Sequence, residues 1–187
     1  AARAAESKVI RGDALAILHG VPIAVKDSLS TKDILTTGGS LVHRDFVPDH
    51  DSGSVERLID AGAIVIGKTN LPEFALGGGI SFNRVIGDDS HNPWNLEYTA
   101  GASSGGSAAA VAAGLVPVAI GTDAGGSIRT PASWCGVYGF KPTLGLVSGY
   151  GGICHNESVP LFTSIGPLTR TVQDAALMLQ AMAGFDN

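Results

Sequence analysis

Three short segments carry residues able to do acyl-transfer chemistry. The first is Gly121-Thr-Asp-Ala-Gly-Gly-Ser127, where an apolar run feeds a glycine loop that ends on a serine. Glycines let the backbone turn sharply and aim successive N–H groups into one concavity. Such a concavity can stabilise the oxyanion of a tetrahedral intermediate, and a serine at its end is placed to attack the same carbonyl. An ordinary strand–helix turn with Ser127 as an N-cap explains the loop, taken alone, equally well.

The second segment, Gly101-Ala-Ser-Ser-Gly105, matches the G-x-S-x-G nucleophile elbow of α/β-hydrolases with Ser103 as nucleophile. Asp123 and His155 follow in the chain order that such a triad needs. An elbow requires a strand directly before it. The preceding His91–Ala100 stretch contains Pro93 and little alternation, and it reads as a loop. A phosphate loop is excluded because no Gly-Lys-Ser/Thr follows. Ser103 and Ser104 also suit a cap for the alanine-rich Ser107–Ala113 helix.

The third clue is Lys26, at the end of the apolar run Val21–Val25. A lysine at the edge of an apolar interior has its charged form disfavoured, moving its pKa from about 10.4 towards roughly 7–8, where it can act as a base. Without the serines, a solvated strand end or a salt bridge to Asp27 is the simpler account. His19, His43, His50, His91 and His155 show no metal-type spacing. His43 and His50 read as loop residues, and His155 is the one histidine that a rival triad would use.

These residues need a frame. The chain has 187 residues, 44% of them hydrophobic and 16% charged, enough for one domain with a buried core and too apolar for disorder. Net charge is −5 and there is no Lys/Arg run, which argues against direct nucleic-acid binding. Apolar stretches such as Val116–Ile120 are far too short to span a membrane. The N-terminal residues lack the apolar core of a signal peptide, and the absence of an initial Met suggests an earlier start. Two cysteines, Cys135 and Cys154, form no metal-binding pattern and suit a reducing, cytoplasmic setting.

Strands are expected at Val21–Val25, Ala63–Ile66 and Val116–Ile120. Helices are expected at Val55–Ala61, capped by Ser52 or Ser54, at Ser107–Ala113, and from Thr171-Val-Gln-Asp174 through Ala183. Short strands alternating with helices imply an α/β sheet with helices on its faces, and a ligand site beyond the strands' C-terminal ends. Lys26 and the Gly121–Ser127 loop both lie at such ends.

Together these segments resemble the amidase signature family. The likeness runs through His19-Gly-Val-Pro-Ile-Ala-Val-Lys-Asp27, Gly67-Lys-Thr-Asn-Leu-Pro-Glu-Phe-Ala75 and Asn92-Pro-Trp-Asn95. It continues through Gly101-Ala-Ser-Ser-Gly-Gly-Ser-Ala108, Gly121-Thr-Asp-Ala-Gly-Gly-Ser-Ile-Arg129, Cys135-Gly-Val-Tyr-Gly-Phe-Lys-Pro-Thr143 and Gly166-Pro-Leu-Thr-Arg-Thr171. Ser103 and Ser127 stand 24 residues apart, as the family pattern requires.

The resemblance implies an α/β fold with a mixed β-sheet core flanked by helices on both faces. It implies a Ser–Ser–Lys triad in which Ser127 attacks an amide carbonyl. Ser103, expected on a cis peptide bond, relays the proton to neutral Lys26. N–H groups of Ala124, Gly125, Gly126 and Ser127 are the implied oxyanion hole, with Ser104, Asp123 and Arg129 as supporting residues. No metal or organic cofactor is implied. The implied partner is a small-molecule amide, with no membrane and no direct nucleic-acid contact, and a homodimer is compatible. Residues 1–187 then form one amidase signature catalytic core, incomplete and truncated at both ends, because family enzymes are longer and their later part supplies much of the acyl pocket. An open cleft and exposed apolar faces should follow. The family also includes the A subunit of the glutamyl-tRNA amidotransferase, usually with Asp where this chain has Pro72, which favours a stand-alone amidase. An inactive remnant is the third reading.

Overall fold

The structure, a computed structural model, describes residues 1–76, 89–153 and 162–184. Its elements in chain order are α1 (Ala2–Arg11), β1 (Pro22–Lys26), α2 (Gly53–Asp60), β2 (Ile64–Thr69), β3 (His91–Asn92), β4 (Asn95–Thr99), α3 (Gly105–Ala112), β5 (Val118–Asp123), α4 (Arg129–Cys135), β6 (Tyr138–Gly139), β7 (Ser164–Thr169) and α5 (Val172–Met182).

Strand β1 shows why the sheet sits where it does. Successive side chains of a strand point to opposite faces. Ile23 and Val25 join one apolar cluster with Val118, Ile120 and Ile165, covered by Val55 and Leu58 of α2 and by Met178 and Met182 of α5. Ala24 joins the other, with Ala119 and Val111 of α3. On that same side Ala108 of α3 packs with Leu168 and with Ala132 and Cys135 of α4. Helices therefore cover both faces. The five-stranded sheet runs β2-β1-β5-β7-β6. β2, β1 and β5 are parallel, whereas β7 and β6 join antiparallel, so the sheet is mixed. This is the expected fold.

Boundaries differ at several places, each for a local reason. The strand expected at Ala63–Ile66 is Ile64–Thr69, and a bulge falls inside it: Ile23 pairs with Val65 but Ala24 with Gly67. Ile66 is the skipped residue and is 57% exposed. The strand expected at Val116–Ile120 is shifted to Val118–Asp123, carrying Asp123 into the sheet. Ser52 holds the N-cap position of α2, but neither it nor Ser54 caps: Ser52 makes no side-chain cap bond, and both hydroxyls are buried without a hydrogen-bond partner. Thr171 does cap α5, its hydroxyl accepting from Asp174 N at 3.1 Å. The His91–Ala100 stretch is not a loop: β3 and β4 form an antiparallel hairpin turning at Pro93–Trp94. The alanine-rich N-terminus, where the sequence predicts no element, forms α1, closed by Gly12 in the left-handed region.

Candidate active site

Parallel pairing of β1 with β5, in the register Val25↔Ile120, sets Lys26 beside the Gly121–Asp123 strand end. By alternation Lys26 leaves β1 on the face that carries Ala24, towards α3. The N-terminus of α3 brings Ser103 and Ser104 over it. Gly121 makes the approach possible, since a Cβ there would lie 2.7 Å from Ser104 Oγ and 2.8 Å from Leu168 Cδ1.

Lys26 is fully buried. Its Nζ lies 2.7 Å from Ser103 Oγ, 3.0 Å from Ser104 Oγ and 2.8 Å from Thr122 Oγ1. Ser103 is 3% exposed and follows a cis Ala102–Ser103 peptide bond. Ser104 stands at the N-cap of α3 but makes no cap bond. Its hydroxyl instead donates to Thr122 O at 3.2 Å and accepts from Thr122 N at 3.3 Å. The capping role considered for this pair is thus not what the hydroxyl of Ser104 does. Behind them Ser107 Oγ donates to Ile120 O, and Ser107 and Thr69 share a hydroxyl contact of 2.6 Å, tying α3 to β5 and β2.

The glycine loop is drawn to this cluster by its backbone: Ser104 N donates to Ser127 O at 3.0 Å. Ser127 is half-buried. It is not the cap of α4, whose N-cap is Ile128 without a side-chain cap bond. Asp123 does that work. Its carboxylate accepts from Gly126 N at 2.7 Å, Ile128 N at 3.1 Å and Arg129 N at 3.3 Å. Arg129 closes a two-pronged fork on it, Nε to Oδ2 at 2.9 Å and Nη2 to Oδ1 at 3.0 Å. Burial alone would raise the Asp123 pKa, but the Arg129 fork and the three N–H donors outweigh it and hold the carboxyl down at about 2. The Gly126 N–H, one of the donors expected to line an oxyanion hole, is thus engaged by Asp123.

The residues expected at the site are therefore brought together as Lys26, Ser103 and Ser104, with Ser127 joined through the backbone, and Asp123 with Arg129 bracing the loop. One correction bears on Ser103 as an elbow nucleophile: a strand, β4, does precede Gly101. That strand belongs to the separate β3–β4 hairpin, not the central sheet, and Ser103 is buried against a lysine. His155 lies outside the described residues. Among the described residues no His, Cys, Asp and Glu group is arranged to hold a metal ion, and no helix is long and apolar enough to cross a membrane.

Sequence reasoning missed two features. Thr122 reads simply as part of the glycine loop, although a threonine between a glycine and a buried aspartate at a strand end is a signal for a buried hydroxyl. Lys68 lies one residue before the end of β2, paired with Val25, and a lysine after an apolar strand picks it out as it does Lys26. Lys68 Nζ lies 3.6 Å from Asp27 Oδ1, so Asp27 points away from Lys26 into a pair of its own.

Among the described residues, a buried lysine in a hydroxyl cluster thus stands beside a glycine–serine loop on a mixed α/β sheet. The chain belongs to the amidase family, whose model, described as Amidase, matches residues 1–187. It is 49% identical to the A subunit of a glutamyl-tRNA(Gln) amidotransferase from Trichodesmium erythraeum, over 99% of this chain and 37% of that relative. The solved A subunit from Thermotoga maritima is 44% identical with a TM-score of 0.85, the match covering 94% of this chain and 38% of that one. A native peptide amidase from Stenotrophomonas maltophilia is 41% identical with a TM-score of 0.88, the match covering 99% of this chain and 38% of that one. The chain thus spans about 37% of the length of the curated relatives it matches.

Proposed function

We propose that this chain is the catalytic core of an amide hydrolase with Ser127 as nucleophile, Ser103 as relay and Lys26 as base. The observation that carries the reading is the 2.7 Å contact between Lys26 Nζ and Ser103 Oγ inside a fully buried hydroxyl cluster. Nζ lies within hydrogen-bond reach of Ser103 Oγ, Ser104 Oγ and Thr122 Oγ1, with Thr122 O at 3.5 Å. A neutral amine has two donors and one lone pair. In the deprotonated lysine that lone pair is the acceptor for the Ser103 proton.

Ser127 Oγ then attacks the carbonyl carbon as its proton passes to Ser103 Oγ and the Ser103 proton to Lys26 Nζ. Backbone N–H groups of Ala124, Gly125 and Ser127 receive the oxyanion. The relay runs backwards to protonate the leaving amine, and water repeats the sequence on the acyl-enzyme. The cytoplasmic setting and the small amide substrate belong to the same reading.

The A subunit of an amidotransferase is a second reading, favoured by one observation. Eight curated relatives, 48–50% identical, carry that name. They weigh more than the single difference at Pro72. In either role the acyl chemistry is the same, and co-purification with a second protein chain separates the two. The test of the chemistry is a fluorophosphonate probe followed by peptide mapping. Label on Ser127, lost in Ser127→Ala, is the expected result. Label on Ser103, with Ser127→Ala still reactive, favours the elbow triad instead.

A further inference from the structure

On the opposite face of β1 from Lys26 lies a second buried charge cluster that the hydrolytic reading does not use. Asp27 is fully buried. Its Oδ2 accepts from Thr37 N at 3.0 Å and from the Thr37 hydroxyl, while Oδ1 faces Lys68 Nζ at 3.6 Å and makes no hydrogen bond among the described residues. Lys68 Nζ donates to Leu29 O at 2.6 Å and to Thr31 Oγ1 and Thr36 Oγ1, both at 2.9 Å. The Asp27 backbone is held as well: its N–H donates to Thr69 O at 3.1 Å and its carbonyl accepts from Gly38 N at 3.0 Å. The loop that follows β1 is therefore stapled to β2 through this pair, one peptide bond beyond Lys26.

We propose that Asp27 and Lys68 form a positioning pair that fixes the end of β1 and sets the local charge balance for Lys26 from across the sheet. The inference rests on the hydrolytic reading for its consequence but not for its measurement. Burying two charges in a dry interior is costly, and such pairs are weak evidence for stability. A buried pair one residue beyond a lysine that the hydrolytic reading requires to lose its proton is placed to act on that lysine's charge. Burial is the largest influence on both partners and drives both towards their neutral forms. It raises the Asp27 pKa against the Thr37 bonds and the Lys68 charge, and lowers that of Lys68 to about 8 against the attraction of Asp27 and Asp51. Asp51 adds a further attraction on Lys68, and its Oδ1 accepts from the Lys32 backbone N–H at 2.7 Å. On the Lys26 face α3 offers hydroxyls only, and the Asp123 carboxylate is taken by Arg129.

The two charges should act on Lys26 in opposite directions. Asp27 favours its ammonium and Lys68 disfavours it. The experiment follows the ε-carbon NMR signal of Lys26 against pH in the 187-residue chain, assigned with Lys26→Met and with folding checked by thermal melts. Asp27→Asn should lower the Lys26 midpoint and Lys68→Met should raise it, each by a few tenths of a pH unit, about what a partly screened charge exerts. The double variant should lie between the two singles, since it removes charges of opposite sign. A merely structural role moves the melts without these opposed shifts. Either single variant suffices if the other does not fold. A Lys26 midpoint that stays still, or moves the same way in both singles, overturns the proposal. Probe labelling of Ser127 on the same samples separates the two claims. Labelling without the shifts removes the pair's role alone, whereas the shifts without labelling at any pH remove the hydrolytic reading and leave the pair's hold on Lys26 standing.

Discussion

Lys26 Nζ meets Ser103 Oγ at 2.7 Å although the residues stand 77 positions apart in the chain. In the proposed relay the base must be deprotonated to accept the Ser103 proton, so reactivity of Ser127 should rise as pH rises. Lys26→Ala should cost about 10²–10⁴ in rate and flatten this dependence. His155→Ala should keep most of it. Rates of probe reaction at Ser127 from acid to alkaline pH provide the measurement. Equal damage from the two substitutions would remove Lys26 from the role of base.

Thr122 positions that amine. Its hydroxyl lies 2.8 Å from Lys26 Nζ, while its N–H and carbonyl hold Ser104. Thr122→Val keeps shape and the backbone bonds and deletes only the hydroxyl. A hydrogen bond lost in a buried network is worth about 1–2 kcal/mol, so the rate should fall roughly ten-fold. Thr122→Ser should restore much of it. A valine variant as fast as wild type would show that the Thr122 hydroxyl is a bystander.

At Gly121 the constraint is space. An added methyl would meet Ser104 Oγ at 2.7 Å and Leu168 Cδ1 at 2.8 Å. Overpacking of this kind costs about 1–3 kcal/mol. Gly121→Ala should lower the melting temperature and slow Ser127 labelling together, because Ser104 must move and takes its contact with Lys26 along. Gly125→Ala, where nothing lies within 4 Å of the added carbon, is the comparison for stability. If the two variants melt alike, the close approach at Gly121 carries no weight.

Much of this was legible because periodicity and punctuation agreed. The apolar run before Lys26, the glycine closing the helix at residue 62 and the Thr171 cap each express a local rule, and the strand ends they define place Lys26 beside the glycine loop. What stayed hidden was non-local. The bulge at Ile66 depends on pairing with β1, not on the sequence of β2. The β3–β4 hairpin turns at Pro93–Trp94, where a proline shapes the turn of a hairpin rather than breaking a strand. Ser52 looks like a cap, yet its hydroxyl is buried elsewhere. The role of Asp123 as clamp and its hold on the Gly126 N–H follow from loop geometry that residue types alone do not fix.

Asp123 yields the prediction with the clearest sign. Its carboxyl is held at about 2, below the value near 3.9 of an unfolded aspartate. A depressed acid contributes stability that is complete above the unfolded value and is lost as pH falls from about 4 towards 2. The gap of nearly two units corresponds to roughly 2 kcal/mol at neutral pH, trimmed because Arg129 is half exposed and its attraction is screened. Asp123→Asn removes the charge and keeps only one acceptor oxygen, setting an NH2 group against the donors on the other side. It should therefore be less stable than wild type at pH 7 by at least that amount, and the difference should shrink near pH 2 to the part that the lost acceptor leaves. Ser127 labelling should slow at pH 7 as well, since the loop bearing the proposed nucleophile loses its clamp. Raised salt should erode only the Arg129 share of the effect. Urea unfolding of both chains at about pH 7, 4 and 2.5 reads the difference directly. A stability gap that is the same at all three pH values would mean that the charge on Asp123 is not what braces the loop.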